Sequence, residues 1–487
     1  MSSEPAKDSG GQFHRALGLV DSAAVVVGSM IGSGIFLVSA ETSRNIGSPF
    51  WFLAAWVISG FLTVLGATCY SELASMFPQA GGQYVFLREA YGKLFGFLYG
   101  WTLFMVIQSG TNAAVAVAFA KFLGVFVPSI SDRYVLFGFM DFSFTTQQLV
   151  ALAVIALLTG INCMGIGMAK MIQTTFTITK VIALFLLILI GLFAFNYHHG
   201  FEPNMTRLFD AVDAGGNSLT GFGLVAALSL ALVGPLFASD AWNNVTFAGE
   251  EVKDPQKTLP RSLILGTALV CFLYFLTNVV YVLLLPLFGS PEGATVLERG
   301  IQFASQDRVG TAALEVIFGA SGEKIMAVAI MISTFGALNG LILSGPRLYY
   351  AMARDGLFFK GAGVLHAKTN VPVFGLCLQG VWSCLLATSG TYSQLLEFVI
   401  FAALLFYVLT VSSVIVMRRK LPDAERPFKV PLYPVLPIVY VLSALTVMAG
   451  QIYLHWEYSG AGLLIILSGL PVYLFWKKKS ESAEREA

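Results

Sequence analysis

The sequence predicts an all-α integral membrane protein of about twelve transmembrane helices, built as two halves that each open with a broken helix. Three observations lead there. Hydrophobic residues make up 56% of the 487 and charged residues only 12%, with mean hydropathy +0.76. Soluble domains carry about 25% charged residues. Apolar runs long enough to cross a bilayer, which takes about 20 residues of helix, recur at 17–42, 49–77, 94–126, 146–164, 170–195, 222–249, 262–286, 322–352, 372–389, 393–417, 431–452 and 459–476. The first and sixth of these runs are interrupted at mid-length by residues that do not suit a helix.

The interruption in the first run is Gly28-Ser-Met-Ile-Gly-Ser-Gly34. A glycine in a helix interior costs about 1 kcal/mol relative to alanine. Unwound backbone at membrane depth is tolerated only where it is buried in protein or lines a cavity. The amides of Ser33, Gly34 and Ile35 would then begin a half-helix whose positive end forms an anion site. The spacing of Gly28 and Gly32 also fits close packing against another helix. The sixth run carries Gly234-Pro235, which removes a backbone donor and disfavours helix before it, followed by Ser239, Asp240 and Asn243. A carboxylate at the bilayer centre needs a partner or a function; the alternative is a proline kink with Asp240 bonded to a neighbouring helix.

The two breaks correspond. Residues 17–196 hold spans 1–5 and residues 222–417 hold spans 6–10, joined by an outer connection at 197–221. With an odd number of spans per half, the second half enters from the opposite side, which is the sequence pattern of an inverted-repeat transporter. The broken helices would run antiparallel, one offering amides to an anion and the other carbonyls to a cation. A zwitterionic amino acid suits such a site.

Residues 418–476 add two spans, flanked by short tails at 1–16 and 477–487. An even number of spans puts both termini on one side, and the lysines and arginines cluster there, which predicts that both tails are cytoplasmic. No cleavable leader pattern precedes the first span. The connection at 78–92 is amphipathic and is expected along the inner interface; that at 288–322 is expected as a helical hairpin over an outer vestibule. Lys180 lies about 15 Å deep in span 5, half of a roughly 30 Å core, too deep to snorkel. It needs carbonyls, hydroxyls or a carboxylate, and a tie to the break in span 1 would supply them. The five cysteines form no CxxC and suggest neither disulfide nor metal site. His14, His198, His199, His366 and His455 all fall outside mid-membrane positions, and no catalytic cluster or cofactor motif is evident; the chain does not read as an enzyme. The net charge of +1 gives no reason to expect a nucleic-acid partner.

GSMIGSGIF (28–36), YSELASMFPQAGGQYVFLREAYG (70–92), FASDAWNNVTFAGEEVKDPQKTLPRSL (237–263), FGALNGLILSGPRLYYAMARDG (335–356) and RRKLPDAERPFKVPLYP (418–434) resemble signatures of the amino acid–polyamine–organocation superfamily, most closely its L-type amino acid transporter family. The resemblance implies a five-plus-five inverted repeat with two added helices. It also implies sodium-independent transport of amino acids, often by exchange, in a cell membrane. Carried over by position, Ser33 and Gly34 would bind the substrate carboxylate, and the carbonyls of Met30, Phe237 and Asp240 its ammonium. Phe237 would be an outer gate, and Lys180 would stand where sodium-coupled relatives bind sodium. Gln108, Thr111 and Asn112 on span 3, Ser239 on span 6, and Ala337 and Asn339 on span 8 are expected as pocket walls. Glu72, Arg347 and Arg354 are expected in cytoplasmic ion pairs.

Ser239 replaces an aromatic residue common in the family and Ala241 a usual glycine, which alters the pocket; Asp240 matches an acid found in some members. Animal members use a cysteine between spans 3 and 4 to bond an accessory glycoprotein. Residues 124–147 contain none, so no disulfide-linked partner is expected and the chain looks prokaryotic. Neutral amino acids are the expected substrates, carried by exchange or facilitated diffusion through alternating access. Two rivals keep the fold: a proton symporter in which Lys180 titrates, and a cationic amino acid or polyamine carrier in which Asp240 offers charge.

Overall fold

A computed structural model describes residues 15–139, 142–213, 216–389, 392–454 and 456–486. Most of the expected N-terminal tail, with His14, and also His455, lie outside the described residues. "Inner" below denotes the side of residue 15.

Backbone in lipid must satisfy its own polar groups, so the apolar runs fold as helices. Among the described residues ten continuous helices are long and apolar enough to cross a bilayer, and Leu19–Met30 with Gly34–Asn45, bent by 42°, makes an eleventh. Val373–Ser389, with 17 residues, is the shorter apolar helix at the place of span 9. The remaining spans are Pro49–Met76 (2), Lys93–Leu123 (3), Thr146–Cys163 (4), Ile166–Phe193 (5), the segmented span 6 from Gly221, Pro255–Leu284 (7), Ala320–Arg354 (8), Tyr392–Lys420 (10), Val435–Leu454 (11) and Trp456–Glu486 (12). Span 7 begins seven residues before its apolar run because Pro255 sits at the first helical position, where its fixed φ and missing N–H cost nothing. The charges of Lys257 and Arg261 hid that turn.

Burial ranks the spans. In span 3 83% of the apolar window is buried inside the protein, against 33% in spans 4 and 5 and 22% in span 12. Spans 1, 3, 6 and 8 form the centre, and spans 4, 5, 11 and 12 present leucine and isoleucine outward, as a lipid-facing surface does. Span 3 contains a π-helical turn, Leu103–Ile107, immediately before Gln108, which an apolar-run reading has no means to detect.

Three connections differ from expectation. Spans 3 and 4 are joined through an antiparallel hairpin, Val135–Phe139 with Phe142–Thr145, a small β element in an otherwise helical chain. The connection after span 7 is a four-residue helix, Val296–Arg299, a 3-10 turn at Ser305–Asp307 and the helix Val309–Phe318, an irregular cap in place of a regular hairpin. The amphipathic stretch at 78–92 does form a helix, Gln83–Tyr91, but Gln83, Tyr84, Val85, Phe86 and Leu87 are buried. It is drawn under the bundle because its polar groups find partners there. The Gln83 amide donates to Thr410 (2.9 Å), and the Tyr84 hydroxyl to Asp355 (2.6 Å).

The inner end is laced by ion pairs. Glu72 on span 2 accepts two bonds from Arg418 (2.8 and 2.6 Å) and one from the Val430 amide (2.7 Å). Arg347 on span 8 pairs with Glu251 at the end of span 6 at 2.8 Å, both side chains almost fully buried. The amides of Ala16 and Leu17 donate to the Glu251 carbonyl at 2.9 Å, so the same residue holds the entry to span 1. Removing one member of a buried pair costs about 3–5 kcal/mol because the other charge is stranded, whereas replacing both by apolar groups is often neutral. Arg347→Met is therefore expected to lower the thermal unfolding temperature in detergent sharply, and Arg347→Met with Glu251→Leu to restore most of the loss. Equal loss in the single and double variants would refute the assignment.

Candidate functional site

The inner half of span 1 ends where Ile31 leaves helical geometry (φ −74°, ψ 91°), its amide still bonded to the Val27 carbonyl at 3.0 Å. Residues 31–33 are not helical, and the outer half begins at Gly34. The first amides of a helix have no carbonyl one turn back, so Gly34 and Ile35 present N–H groups at the positive end of the outer half-helix. Ser33, Gly34 and Ile35 are all buried.

The freed carbonyls are met by side chains from three other spans. The Lys180 ammonium donates to the carbonyl of Gly28, to that of Ile31 (2.6 Å) and, from farther off, to that of Ser333 (3.5 Å). The Ser333 hydroxyl donates toward the carbonyls of Ile31 and Gly32, both at 3.1 Å. The Tyr274 hydroxyl donates to the Met30 carbonyl at 2.9 Å. Lys180 is 2% exposed, and three carbonyl dipoles replace the water its charge requires. One turn below it on span 5, Thr177 donates to the Ala24 carbonyl (3.3 Å), and Gln173 reaches the same oxygen at 3.5 Å.

Span 6 breaks later than its sequence suggests. After Gly221–Ala231 a short helix, Val233–Ala238, includes Gly234 and Pro235. Pro235 falls in the first turn of that helix, where an absent N–H is cheap. The main unwinding is at 239–243, before the chain resumes as Asn244–Phe247. Ala241 there has φ +65°, the left-handed region that favours glycine.

The two breaks touch. A Cβ added at Gly34 would lie 2.8 Å from both Cα and Cβ of Ala238, so only glycine lets the backbones approach this closely. Phe237, buried near the end of the outer helix of span 6, has its carbonyl bonded to the Asp240 amide at 3.1 Å. The Asp240 carboxylate accepts from the Tyr407 hydroxyl of span 10. Two spaces adjoin this pair. One is a narrow gap bordered by Gln108, Thr111, Asn243, Tyr99 and Gln83. The other, also narrow, is bordered by Ser239, Trp242 and Tyr440.

Of the expected pocket walls, Gln108, Thr111 and Ser239 border these spaces. Asn112, Ala337 and Asn339 do not. Asn112 donates to Ser383 of span 9 (3.2 Å). Asn339 donates to the Ala169 carbonyl and to Gln173 (both 3.1 Å) and accepts from Asn162 (3.0 Å), joining spans 4, 5 and 8. Ala337 backs Gly32. Sequence reasoning did not single out Tyr274, Ser333, Gln173 or Tyr407. Their only signal is a polar side chain within an apolar run, weaker for a hydroxyl than for a charge. Among the described residues no group of three His, Cys, Asp or Glu is placed to hold a metal.

Residues 17–467 match the family model described as amino acid permease. The chain is 32% identical to the human large neutral amino acids transporter small subunit 2, over 98% of this chain and 84% of the relative. It is 29% identical to the mouse b(0,+)-type amino acid transporter 1, over 95% and 88% of the two chains. It is also 29% identical to the serine/threonine exchanger SteT of Bacillus subtilis, over 96% and 98%.

The left-handed Ala241 yields a stability test of the break. A residue with a Cβ pays about 1–2 kcal/mol there, part of which glycine returns through the entropy of the unfolded chain. Ala241→Gly is expected to leave the unfolding temperature unchanged or raise it, and Ala241→Val to lower it. The reverse order would contradict the unwound geometry at 239–243.

Proposed function

The chain belongs to the amino acid permease family, and from that membership we propose that it carries L-amino acids, chiefly neutral ones, across the cell membrane by sodium-independent exchange. The observation that carries this reading is the Lys180 ammonium on the carbonyls of Gly28 and Ile31, with the Ser333 hydroxyl on the same break. The protein's own charge neutralises the opened helix, so no sodium ion is required there. The word "exchanger" in the name of the Bacillus relative supports exchange over uniport.

In this reading the amides of Ser33, Gly34 and Ile35 take the substrate carboxylate, and the carbonyls of Met30, Phe237 and Asp240 its ammonium. Phe237 closes over the substrate from outside. Gln108, Thr111 and Ser239 meet the side chain, while Asn112, Ala337 and Asn339 fix the helices behind it. Two inverted repeats, 17–196 and 222–417, supply one broken helix each, and alternating access is the tilting of half-helices about the breaks. The inner half of span 1 is held by Asp21 to Lys170 (2.8 Å) and the outer half by Arg44 to Asp307 (2.8 Å). These are two separate sets of contacts, one for each face. The clustering of lysine and arginine supports cytoplasmic termini, and the cysteine-free connection at 124–147 supports work without a disulfide-linked partner.

A second reading is favoured by the Asp240 carboxylate beside both central spaces: a cationic side chain would find a counter-charge there. Competition of labelled leucine uptake by arginine separates the two. For coupling, purified protein in liposomes is expected to take up labelled amino acid faster when unlabelled amino acid is inside, with neither sodium nor a pH gradient present. Uptake into empty vesicles that follows an imposed pH gradient would replace exchange by proton symport. Lys180→Ala is expected to reduce exchange by at least about tenfold, roughly 1.4 kcal/mol of barrier, while the variant elutes as a folded monodisperse species. Transport at the normal rate would remove Lys180 from the mechanism.

A further inference from the structure

What packs against the inner half of span 1 at Gly28 is polar. Lys170, Gln173, Thr177 and Lys180 fall three or four residues apart on one face of span 5, and each of them bonds span 1. Lys170 pairs with Asp21 at 2.8 Å. Gln173 and Thr177 donate to the Ala24 carbonyl at 3.5 and 3.3 Å. Lys180 holds the carbonyls of Gly28 and Ile31 at the break.

The Gln173 carboxamide is buried in a slot between two glycines. A Cβ at Gly28 of span 1 would overlap its nitrogen and the Thr177 hydroxyl, and a Cβ at Gly340 of span 8 would lie 2.9 Å from the same nitrogen. Its oxygen accepts from Asn339 of span 8 at 3.1 Å, and Asn339 is tied in turn to Asn162 of span 4 and to the Ala169 carbonyl of span 5. One end of the carboxamide is thus fixed to spans 4, 5 and 8, and the other end meets span 1. The two ends are unequal. A helical carbonyl already accepts from the amide four residues on, so parting from Gln173 and Thr177 strands nothing on span 1. The Thr177 hydroxyl, once released, can turn to the carbonyl four residues back on its own helix. Lys180 differs, because it binds carbonyls freed by the break and a buried ammonium needs them in place of water. The docked arrangement also leaves the Ser29 hydroxyl buried with no hydrogen-bond partner among the described residues, a cost that favours release.

We propose that Gln173 is a positioning residue for transport, acting as an inner latch. Its Nε2 holds the Ala24 carbonyl while the inner side is shut and parts from it when the inner half of span 1 swings away from spans 5 and 8. Lys180 stays on the break as the hinge, and the Asn339 bond keeps the carboxamide aimed for the return. Gly28 and Gly340 lack side chains so that the latch can enter between the helices. The proposal rests on the transport reading above, in which the half-helices tilt.

Two variants test it. Gln173→Leu keeps the bulk and removes the amide. Thr177→Val removes the other bond to the same carbonyl, and it keeps the test open if Gln173→Leu does not fold. Exchange of labelled L-leucine is measured from each face, in right-side-out and inside-out membrane vesicles, and amide deuterium uptake is measured on the purified full chain. Without the latch the inward-open population rises, and apparent affinity follows the competent fraction. KM is therefore expected to fall about threefold on the inner face and to rise on the outer face. Deuterium uptake over 19–30 is expected to quicken while that over 34–45 keeps the wild-type rate; general destabilisation would quicken both. KM values that stay put or move the same way on both faces, or unchanged uptake over 19–30, overturn the latch and leave the transport reading standing. No exchange by the wild type overturns the transport reading and the latch with it.

Discussion

A helix interrupted inside a membrane releases carbonyl oxygens that lipid cannot satisfy, and the protein answers that demand from three helices at once. The Lys180 ammonium, the Ser333 hydroxyl and the Tyr274 hydroxyl together bind the carbonyls of Gly28, Met30, Ile31 and Gly32. An unmet carbonyl in hydrocarbon costs several kcal/mol, so without these groups residues 31–33 would be driven back into a continuous helix. With them the break is stable, and Gly34 and Ile35 are free to point their amides into the protein. The rest of the centre follows from this constraint. Span 5 must bring a lysine to mid-depth, span 8 must pass close enough for a serine, and span 7 must offer a tyrosine.

The positive charge also shapes what the cavity can hold. The Lys180 ammonium and the positive end of the half-helix Gly34–Asn45 meet at the same break. In the proposed reading both lie toward the carboxylate end of the substrate. In the proposed reading the opposite end is span 6, where the Phe237 carbonyl accepts from the Asp240 amide and the Asp240 carboxylate from Tyr407.

Much of this was legible in the residues. Apolar runs located the spans, because crossing a bilayer demands length and composition together. The glycines of 28–34 marked the first break, and Lys180 announced its own need for partners because a charge at that depth has so few solutions. The second break was found but misplaced. Proline is the louder signal in Gly234-Pro235, yet a first-turn position absorbs it, and the chain unwinds at Asp240 and Ala241, where nothing in the sequence breaks a helix so visibly. Ser333 stayed hidden because a serine hydroxyl can bond its own helix and need not signify a long-range contact, and Tyr274 and Tyr407 because a tyrosine ring in an apolar run reads as ordinary packing. The π-turn at Leu103–Ile107, the hairpin at Val135–Phe139 and the burial of Gln83–Tyr91 depend on tertiary neighbours, which no local pattern encodes.

The contact between Gly34 and Ala238 sets a mechanical limit on the two broken helices. Backbone bears on backbone there, with only a methyl group on one side. A long side chain at such a junction could change rotamer and soak up a displacement, but here nothing flexible stands between. Neither segment can slide toward the other, so a tilt in one is handed on to its neighbour instead of being lost as strain. A rigid contact of this kind would make the pair a shared pivot for the tilting that alternating access requires.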